Sequence, residues 1–147
     1  MVYPSNLEAA MRKVQDTLLI CPPVVSQFAA LGALEAGRGF VQDKLRGIAD
    51  VRSLVQQELA ILVREKRCDI PPAQGAFYFL LRVHSERRAL DVAEQLIREH
   101  GVAVIPGNAF GLERGCYLRV AYGALQKETA SEGIGRLVRG LRALVQT

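Results

Sequence analysis

The chain has 147 residues, a length at which one domain buries about two-thirds of its unfolded surface and can form its own core. Half of the residues are apolar and 23% are charged, and this composition excludes wholesale disorder. The net charge of +4 comes from basic residues spread along the chain, so we expect no nucleic-acid-binding surface.

Membrane and metal-binding classes are disfavoured by local patterns. The longest uncharged stretch, residues 17–34, contains two prolines and several polar residues, which makes it a poor membrane span. The first residues lack the pattern of a secretory signal, so we expect a cytoplasmic chain. Because Cys21, Cys68 and Cys116 lie far apart, we predict reduced thiols packed as small hydrophobic residues and no metal site.

Residues 1–68 carry helical patterns. Ser5 and Glu8 form a capping-box pattern, which predicts a helix that begins just after Ser5 and is interrupted by two prolines. The following segment, residues 24–36, is apolar on most sides and predicts a buried helix. An apolar stripe then continues over about six turns through residues 40–63, which predicts a long amphipathic helix.

Residues 69–147 predict a small α+β domain in the order strand, helix, strand, strand, helix. The predicted strands are residues 76–83, 102–105 and 117–122. For the first helix we predict a cap at Ser85, an end at Gly101 and an inner face of Leu90, Ala93, Leu96 and Ile97. For the last helix we predict a capping box of Thr129 with Glu132 and an inner face of Ile134, Leu137, Val138, Leu141, Leu144 and Val145.

Arg119 is the most informative charged residue because its predicted strand is otherwise apolar and aromatic. A guanidinium in a buried strand is costly unless an anion meets its planar set of donors. A substrate carboxylate is one such anion. An internal ion pair and an outward-pointing position at the sheet edge are the alternatives. The nearby loop, residues 106–111, suits either close approach to a ligand or a simple glycine-rich turn.

Other candidates for chemistry are weak. His84 and His100 stand at element ends with polar neighbours, which favours surface or capping roles. No nucleophile signature, phosphate-binding loop or paired-carboxylate motif occurs. Each lysine has a charged residue within two positions, which indicates solvated side chains rather than a desolvated Schiff-base amine. The lysines are Lys13, Lys44, Lys66 and Lys127.

Four segments, in order, resemble the C-terminal part of class I/II aminotransferases, which are pyridoxal-phosphate enzymes of fold type I. The segments are residues 72–78, 93–101, 102–111 and 117–122. Residues 3–27 resemble the segment that follows the cofactor-binding region, and residues 45–63 resemble the interdomain helix. The resemblance implies an α+β fold with long N-terminal interdomain helices, residues 1–68, followed by a small C-terminal domain, residues 69–147.

The resemblance also implies roles for individual residues. Arg119 matches the arginine that binds the α-carboxylate of the amino-acid substrate. Asn108 and Phe110 would shape the substrate side of the pocket, and Gly75 would allow close backbone approach there. The family's Schiff-base lysine, its aspartate on the pyridinium nitrogen and most phosphate ligands lie upstream of the region resembled here. We therefore assign no catalytic or cofactor-binding residue and predict that the isolated chain does not transaminate.

Three interpretations of the whole chain follow. The first is a truncated product or fragment of an aminotransferase, an enzyme that moves an amino group between an amino acid and a 2-oxo acid. The second is a non-catalytic interaction or dimerisation module derived from that fold, and the third is one piece of a split enzyme. We expect a homodimer or association with the missing upstream part. Loss of the upstream structure should leave apolar surface exposed on the helix of residues 24–34, and exposed apolar surface favours association.

Overall fold

The computed structural model describes residues 2–123 and 126–145. Contacts divide the chain into two compact units, one up to Asp43 and one from Lys44 onward. The helices are α1 Glu8–Leu18, α2 Val24–Ala36, α3 Arg38–Arg64, α4 Ala89–His100 and α5 Lys127–Leu144. The strands are β1 Cys68–Asp69, β2 Tyr78–Val83, β3 Ile105–Pro106 and β4 Cys116–Ala121. The predicted α+β class is confirmed, whereas the domain boundary at residue 69 stays a prediction.

The first unit begins with a 3₁₀ turn, Ser5–Leu7, that leads into α1. The predicted capping box is wrong, because Ser5 lies inside this turn and no side chain caps either element. Glu8 instead pairs with Arg12 one helical turn later, at 2.9 Å between Oε1 and Nη2. An N-cap residue needs a non-helical backbone, which a residue inside a 3₁₀ turn does not have.

The bounds predicted for α2 match the structure, but its predicted burial is wrong. No residue of α2 is buried, and Phe28 and Leu34 are 70% and 79% exposed. Among residues 2–43 no side chain is buried at all, so this unit has no core of its own. Cys21 is exposed as well, which corrects the expectation that all three thiols pack as hydrophobic residues.

The second unit contains a four-stranded antiparallel sheet in the order β1-β2-β4-β3. β1 was not predicted, because a strand of two residues is too short to show an alternating pattern in the sequence. β2 begins at Tyr78 rather than at Ala76, because Ala76 has a positive φ of 65°, which a strand cannot contain. β4 lies one residue before its predicted position, whereas β3 overlaps the strand predicted at residues 102–105 only at Ile105.

One face of the sheet is buried, and its side chains alternate with those of a more open face along β2 and β4. Helices α4 and α5 and the C-terminal half of α3 contribute the rest of the same hydrophobic cluster. From the sheet the cluster takes Phe79, Leu81, Val83, Cys116, Leu118 and Val120, and from the helices it takes Val51, Val55, Leu59, Leu62, Val92, Leu96, Ile134, Leu137 and Leu141 among others. The core therefore packs against one face of the sheet, and the side chains on the other face are more exposed.

The bounds and caps of α4 and α5 differ from the sequence prediction. α4 starts at Ala89 without a side-chain cap, while the Ser85 hydroxyl accepts a hydrogen bond from the Arg87 N–H at 3.2 Å. The buried stripe is Ala89, Val92, Ala93 and Leu96, so Leu90 and Ile97, at 43% and 51% exposure, are not inward. The left-handed end at Gly101 has a φ of 61°, as predicted.

α5 starts at Lys127, two residues before the predicted capping box of Thr129 with Glu132. No side chain caps it, and Glu132 pairs with Arg136 instead. Its predicted inner face is buried apart from Leu144, which is half-buried.

Candidate functional site

Arg119 lies in the middle of β4 on the sheet face opposite the core. It stands across from Leu80 of β2 and Ile105 of β3 in the strand register. The side chain is half-buried, so β4 is buried on one face only rather than on both. This position explains how an apolar strand accommodates a guanidinium without an internal counter-ion.

Two aromatic rings hold the guanidinium of Arg119. Its Cζ lies 4.3 Å from the Tyr78 ring centroid and 5.3 Å from the Phe110 ring centroid. Both distances fall within the range at which a cation is attracted to an aromatic face. Tyr78 reaches this position because it lies two residues before Leu80 and therefore on the same face of β2.

The Nε atom of Arg119 is buried and has no hydrogen-bond partner among the residues that the structure describes. None of the ion pairs between described residues involves Arg119. The internal ion pair considered from the sequence is therefore not observed. A buried donor without a partner is unfavourable, and a planar anion such as a carboxylate has the geometry to accept from it.

Phe110 is positioned by the 3₁₀ helix Gly107–Phe110. Gly107 is buried, and a Cβ there would lie 2.6 Å from the Tyr117 Cβ, so only glycine lets this segment pass so close to β4. Gly111 closes the segment with a φ of 82°. The glycine-rich composition thus serves a tight turn, and the same turn brings the Phe110 ring against Arg119.

The other two predicted site residues, Asn108 and Gly75, have surroundings different from those of Phe110. Asn108 is exposed and lines a depression of about 1000 Å³ together with Arg82 and Leu112. A Cβ at Gly75 would meet no atom within 4 Å, and the Gly75 carbonyl accepts a hydrogen bond from Arg52 Nη1 at 3.2 Å. The roles of these two residues toward a ligand stay predictions.

His84, the residue after β2, contacts Asp69 of β1 and Lys66, which precedes β1. Its Nε2 lies 2.8 Å from Asp69 Oδ2 and its Nδ1 lies 2.7 Å from the Lys66 carbonyl oxygen. The hydrogen bond to Asp69 and then the one to Lys66 raise the pKa of His84. His100, in contrast, has a buried Nε2 without a partner among the described residues, and its ring lies beside Gly140.

All four lysines are exposed. Lys127 pairs with Asp50 at 3.1 Å between Nζ and Oδ2. Within residues 2–123 and 126–145, no group of three histidine, cysteine or acidic side chains is arranged to hold a metal ion. Over the same residues, no helix has both the length and the apolar character needed to cross a membrane.

Two site residues were missed in the sequence analysis. Tyr78 has no pattern of its own that marks it, because its contact with Arg119 depends on strand register. Arg52 resembles any other arginine on an amphipathic helix, although the structure gives its guanidinium three hydrogen-bonded partners.

Comparison with known proteins shows which family this chain belongs to. The family described as aminotransferase class I and II matches residues 1–137. The aromatic aminotransferase ISS1 of Arabidopsis thaliana is 33% identical over 134 residues, which cover 90% of this chain and 33% of the relative. An aspartate aminotransferase of Rhizobium meliloti is 30% identical over 136 residues, which cover 85% of this chain and 32% of the relative.

A solved structure agrees with these sequence matches. The aromatic aminotransferase from Pyrococcus horikoshii OT3 superimposes with a TM-score of 0.75 at 29% identity, covering 97% of this chain and 38% of that chain. The chain therefore spans about a third of the length of the relatives it matches. The family match confirms the resemblance seen in the four sequence segments: this chain belongs to the class I and II aminotransferases.

Proposed function

We propose that the second unit of this chain binds the substrate carboxylate in an aminotransferase, with Arg119 as the binding residue. The observation that carries the proposal is the buried, partnerless Nε of Arg119 beside the Tyr78 and Phe110 rings. A carboxylate that meets the guanidinium edge would accept two parallel hydrogen bonds and have its orientation fixed. The reaction of the complete protein is exchange of an amino group between an amino acid and a 2-oxo acid.

We further propose that the chain alone does not transaminate. The family depends on pyridoxal phosphate, a cofactor that supplies an electron sink for chemistry at the amino-acid α-carbon. A lysine that holds this cofactor covalently works as a desolvated amine, whereas all four lysines here are exposed. The residues of this chain therefore do not fit covalent attachment of the cofactor. We assign the missing lysine to the two-thirds of the relatives' length that this chain does not match.

Carboxylate binding is tested by NMR titration of the full chain with 3-phenylpropionate, a monocarboxylate with an apolar tail. We expect saturable shifts at Arg119, Tyr78 and Phe110. Arg119→Lys keeps the charge but lacks the planar donors, so it should weaken binding about tenfold or more. Arg114→Lys is the matched control, because Arg114 is exposed and precedes the same strand. Equal affinity in the two variants would refute the role of Arg119.

Cofactor attachment is tested by absorbance spectroscopy with pyridoxal phosphate. We expect no stoichiometric Schiff-base band after desalting, because exposed lysines form only weak and reversible adducts. The control is each single Lys→Arg variant, which should leave the residual absorbance nearly unchanged. A stable one-to-one band that disappears in one variant would show that a lysine of this chain holds the cofactor.

A second candidate function is an interaction module, favoured by the exposed apolar residues of α2. Val25, Phe28 and Leu34 are between 70% and 79% exposed. Such a helix favours association with a second copy or with the upstream part of a split enzyme. Size-exclusion chromatography with light scattering separates the first case from a monomer. Mixing the chain with the first two-thirds of an aminotransferase relative tests the second, since recovered activity would indicate a split enzyme.

A further inference from the structure

Arg52 of α3 is hydrogen-bonded to the segment that precedes β2. Its Nη1 donates to the Gly75 carbonyl at 3.2 Å, and its Nη2 donates to the Ala73 carbonyl. Nη1 also donates to the Tyr122 hydroxyl at 3.1 Å. That hydroxyl in turn donates to the Ala76 carbonyl at 3.1 Å. One guanidinium and one phenol therefore bind three carbonyl groups within four consecutive residues.

The backbone held by these contacts is strained. Ala76 has a φ of 65°, in the left-handed region that a residue with a Cβ rarely adopts. Such a conformation persists only where surrounding contacts over-determine it. Arg52 and Tyr122 supply those contacts, and the Tyr122 side chain is itself 1% exposed and therefore fixed.

The strained segment leads directly into β2. The Phe77 carbonyl accepts hydrogen bonds from the N–H groups of Tyr122 and Gly123, at 2.9 and 3.2 Å. Tyr78 is the next residue, and its ring lies against the guanidinium of Arg119. A relaxed segment before β2 would let this ring move away from Arg119.

We propose that Arg52 is a positioning residue for the carboxylate site: it holds residues 73–76 in the strained turn that presents the Tyr78 ring to Arg119. The effect on carboxylate affinity rests on the proposed function of Arg119, whereas the effect on the ring contact does not. A lysine at position 52 cannot replace Arg52, because a single ammonium group lacks the planar fork that reaches two carbonyls and a hydroxyl.

The test uses NMR on the full chain and two readouts. The first is the chemical shift of the Arg119 Nε–H proton, which the Tyr78 ring current displaces, and the variant Tyr78→Leu calibrates that displacement. The second is affinity for 3-phenylpropionate. The variants are Arg52→Lys, Arg52→Ala and Tyr122→Phe. The matched control is Arg64→Ala, which removes an exposed arginine from the same helix.

We expect both Arg52 variants to lose at least half of the calibrated displacement and to bind 3-phenylpropionate about fivefold more weakly. Tyr122→Phe should have a smaller effect in the same direction, and Arg64→Ala should match the wild type. Amide shifts of α4 and α5 should stay unchanged, which shows that the fold is intact.

Three outcomes would count against a proposal. An unchanged Nε–H shift in both Arg52 variants would overturn the positioning role, whether or not a carboxylate binds. Loss of the α4 and α5 amide pattern in both would also overturn it, because Arg52 would then stabilise the fold as a whole. No 3-phenylpropionate binding by the wild type would refute the proposed function, and the Nε–H shift would still decide the role of Arg52.

Discussion

The two units differ in how far their apolar side chains are buried. α2 in the first unit is rich in valine, leucine and phenylalanine, yet none of its residues is buried. Every buried hydrophobic side chain among the described residues lies in the second unit, around the sheet. Apolar residues in a helix therefore indicate a face that can be buried, but burial requires a second layer of secondary structure packed against that face.

The long helix α3 shows the same contrast within one continuous apolar stripe. Phe40 and Leu45 are 64% and 56% exposed, whereas Val55 and Leu59 are fully buried. The periodicity does not change along the helix. What changes is the presence of the sheet and of α5, whose side chains join the cluster that contains Val55 and Leu59.

Thiol alkylation should give the largest difference between the two units. Burial raises the pKa of Cys68 to about 11 and also raises the pKa of Cys116, while Cys21 is exposed. Because the thiolate is the nucleophile, we expect Cys68 and Cys116 to react with iodoacetamide at least about a hundredfold more slowly than Cys21. Mass spectrometry of the peptides measures the rates, and urea-denatured chain is the control. Equal rates in the folded chain would mean that the core of the second unit is open.

Truncation of one leucine in each unit should give the next largest difference. Leu59→Ala removes a fully buried side chain from α3 and should lower the free energy of unfolding by about 2–5 kcal/mol. Leu31→Ala is the matched change in α2, where Leu31 is 51% exposed, and should cost less than about 0.5 kcal/mol. Urea denaturation followed by circular dichroism measures both. A similar loss in the two variants would show that α2 is covered.

Glycine-to-alanine changes should differ in sign between a packed helix face in the second unit and the open face of α2 in the first. A Cβ at Gly140 of α5 would lie 2.4 Å from Leu96 Cδ2 and 3.0 Å from the His100 ring, so Gly140→Ala should destabilise by about 1–3 kcal/mol. Gly32 of α2 has no atom within 4 Å of such a Cβ, so Gly32→Ala should stabilise by up to about 1 kcal/mol. Gly133→Ala, also unobstructed, is the control within α5. Thermal unfolding distinguishes the signs, and a stabilised Gly140→Ala would mean that α4 and α5 pack loosely.

The sequence predicted the elements with long periodic patterns, whereas its short capping motifs did not predict how the helices begin. Helix periodicity with flanking proline and glycine located α2 and α3 correctly. All three capping patterns, at Ser5, Ser85 and Thr129, predicted caps that the structure lacks. A cap motif is a short local pattern, whereas the first residue of each helix depends on packing with distant elements as well.

The site could be predicted only in part for a similar reason. Arg119 stands out because a charge in an apolar strand demands a partner, and this argument needs no coordinates. The Tyr78 contact depends on the register of β2 against β4, which a single sequence does not encode. Arg52 binds carbonyl groups 21 and 23 residues away, and backbone carbonyls carry no residue-type pattern that could reveal the contact.

The smallest expected difference concerns pH, and it is confined to the second unit because His84 and His100 are the only histidines. Both ring nitrogens of His84 face acceptors, so only the protonated ring can donate to Asp69 and to the Lys66 carbonyl together. The hydrogen bond to Asp69, then that to Lys66, raises the pKa of His84 above its ordinary value of 6.5, although desolvation and, less strongly, Arg82 act in the opposite direction. The stabilisation is therefore fully present below about pH 6.5 and is lost as the pH rises through the raised pKa.

This sign makes the His84 pair testable by difference. The free energy of unfolding of the wild type should fall between pH 6 and pH 8, relative to His84→Gln, by less than about 1 kcal/mol because the pair is partly exposed. Asp69→Asn should remove most of that difference, since the amide keeps an acceptor oxygen but not the charge. His100 is unchanged in all three proteins, so the differences between them report on the His84 pair. The same pH dependence in His84→Gln as in the wild type would mean that the ring is not ion-paired, and the contact would then reduce to an uncharged hydrogen bond at the end of β2.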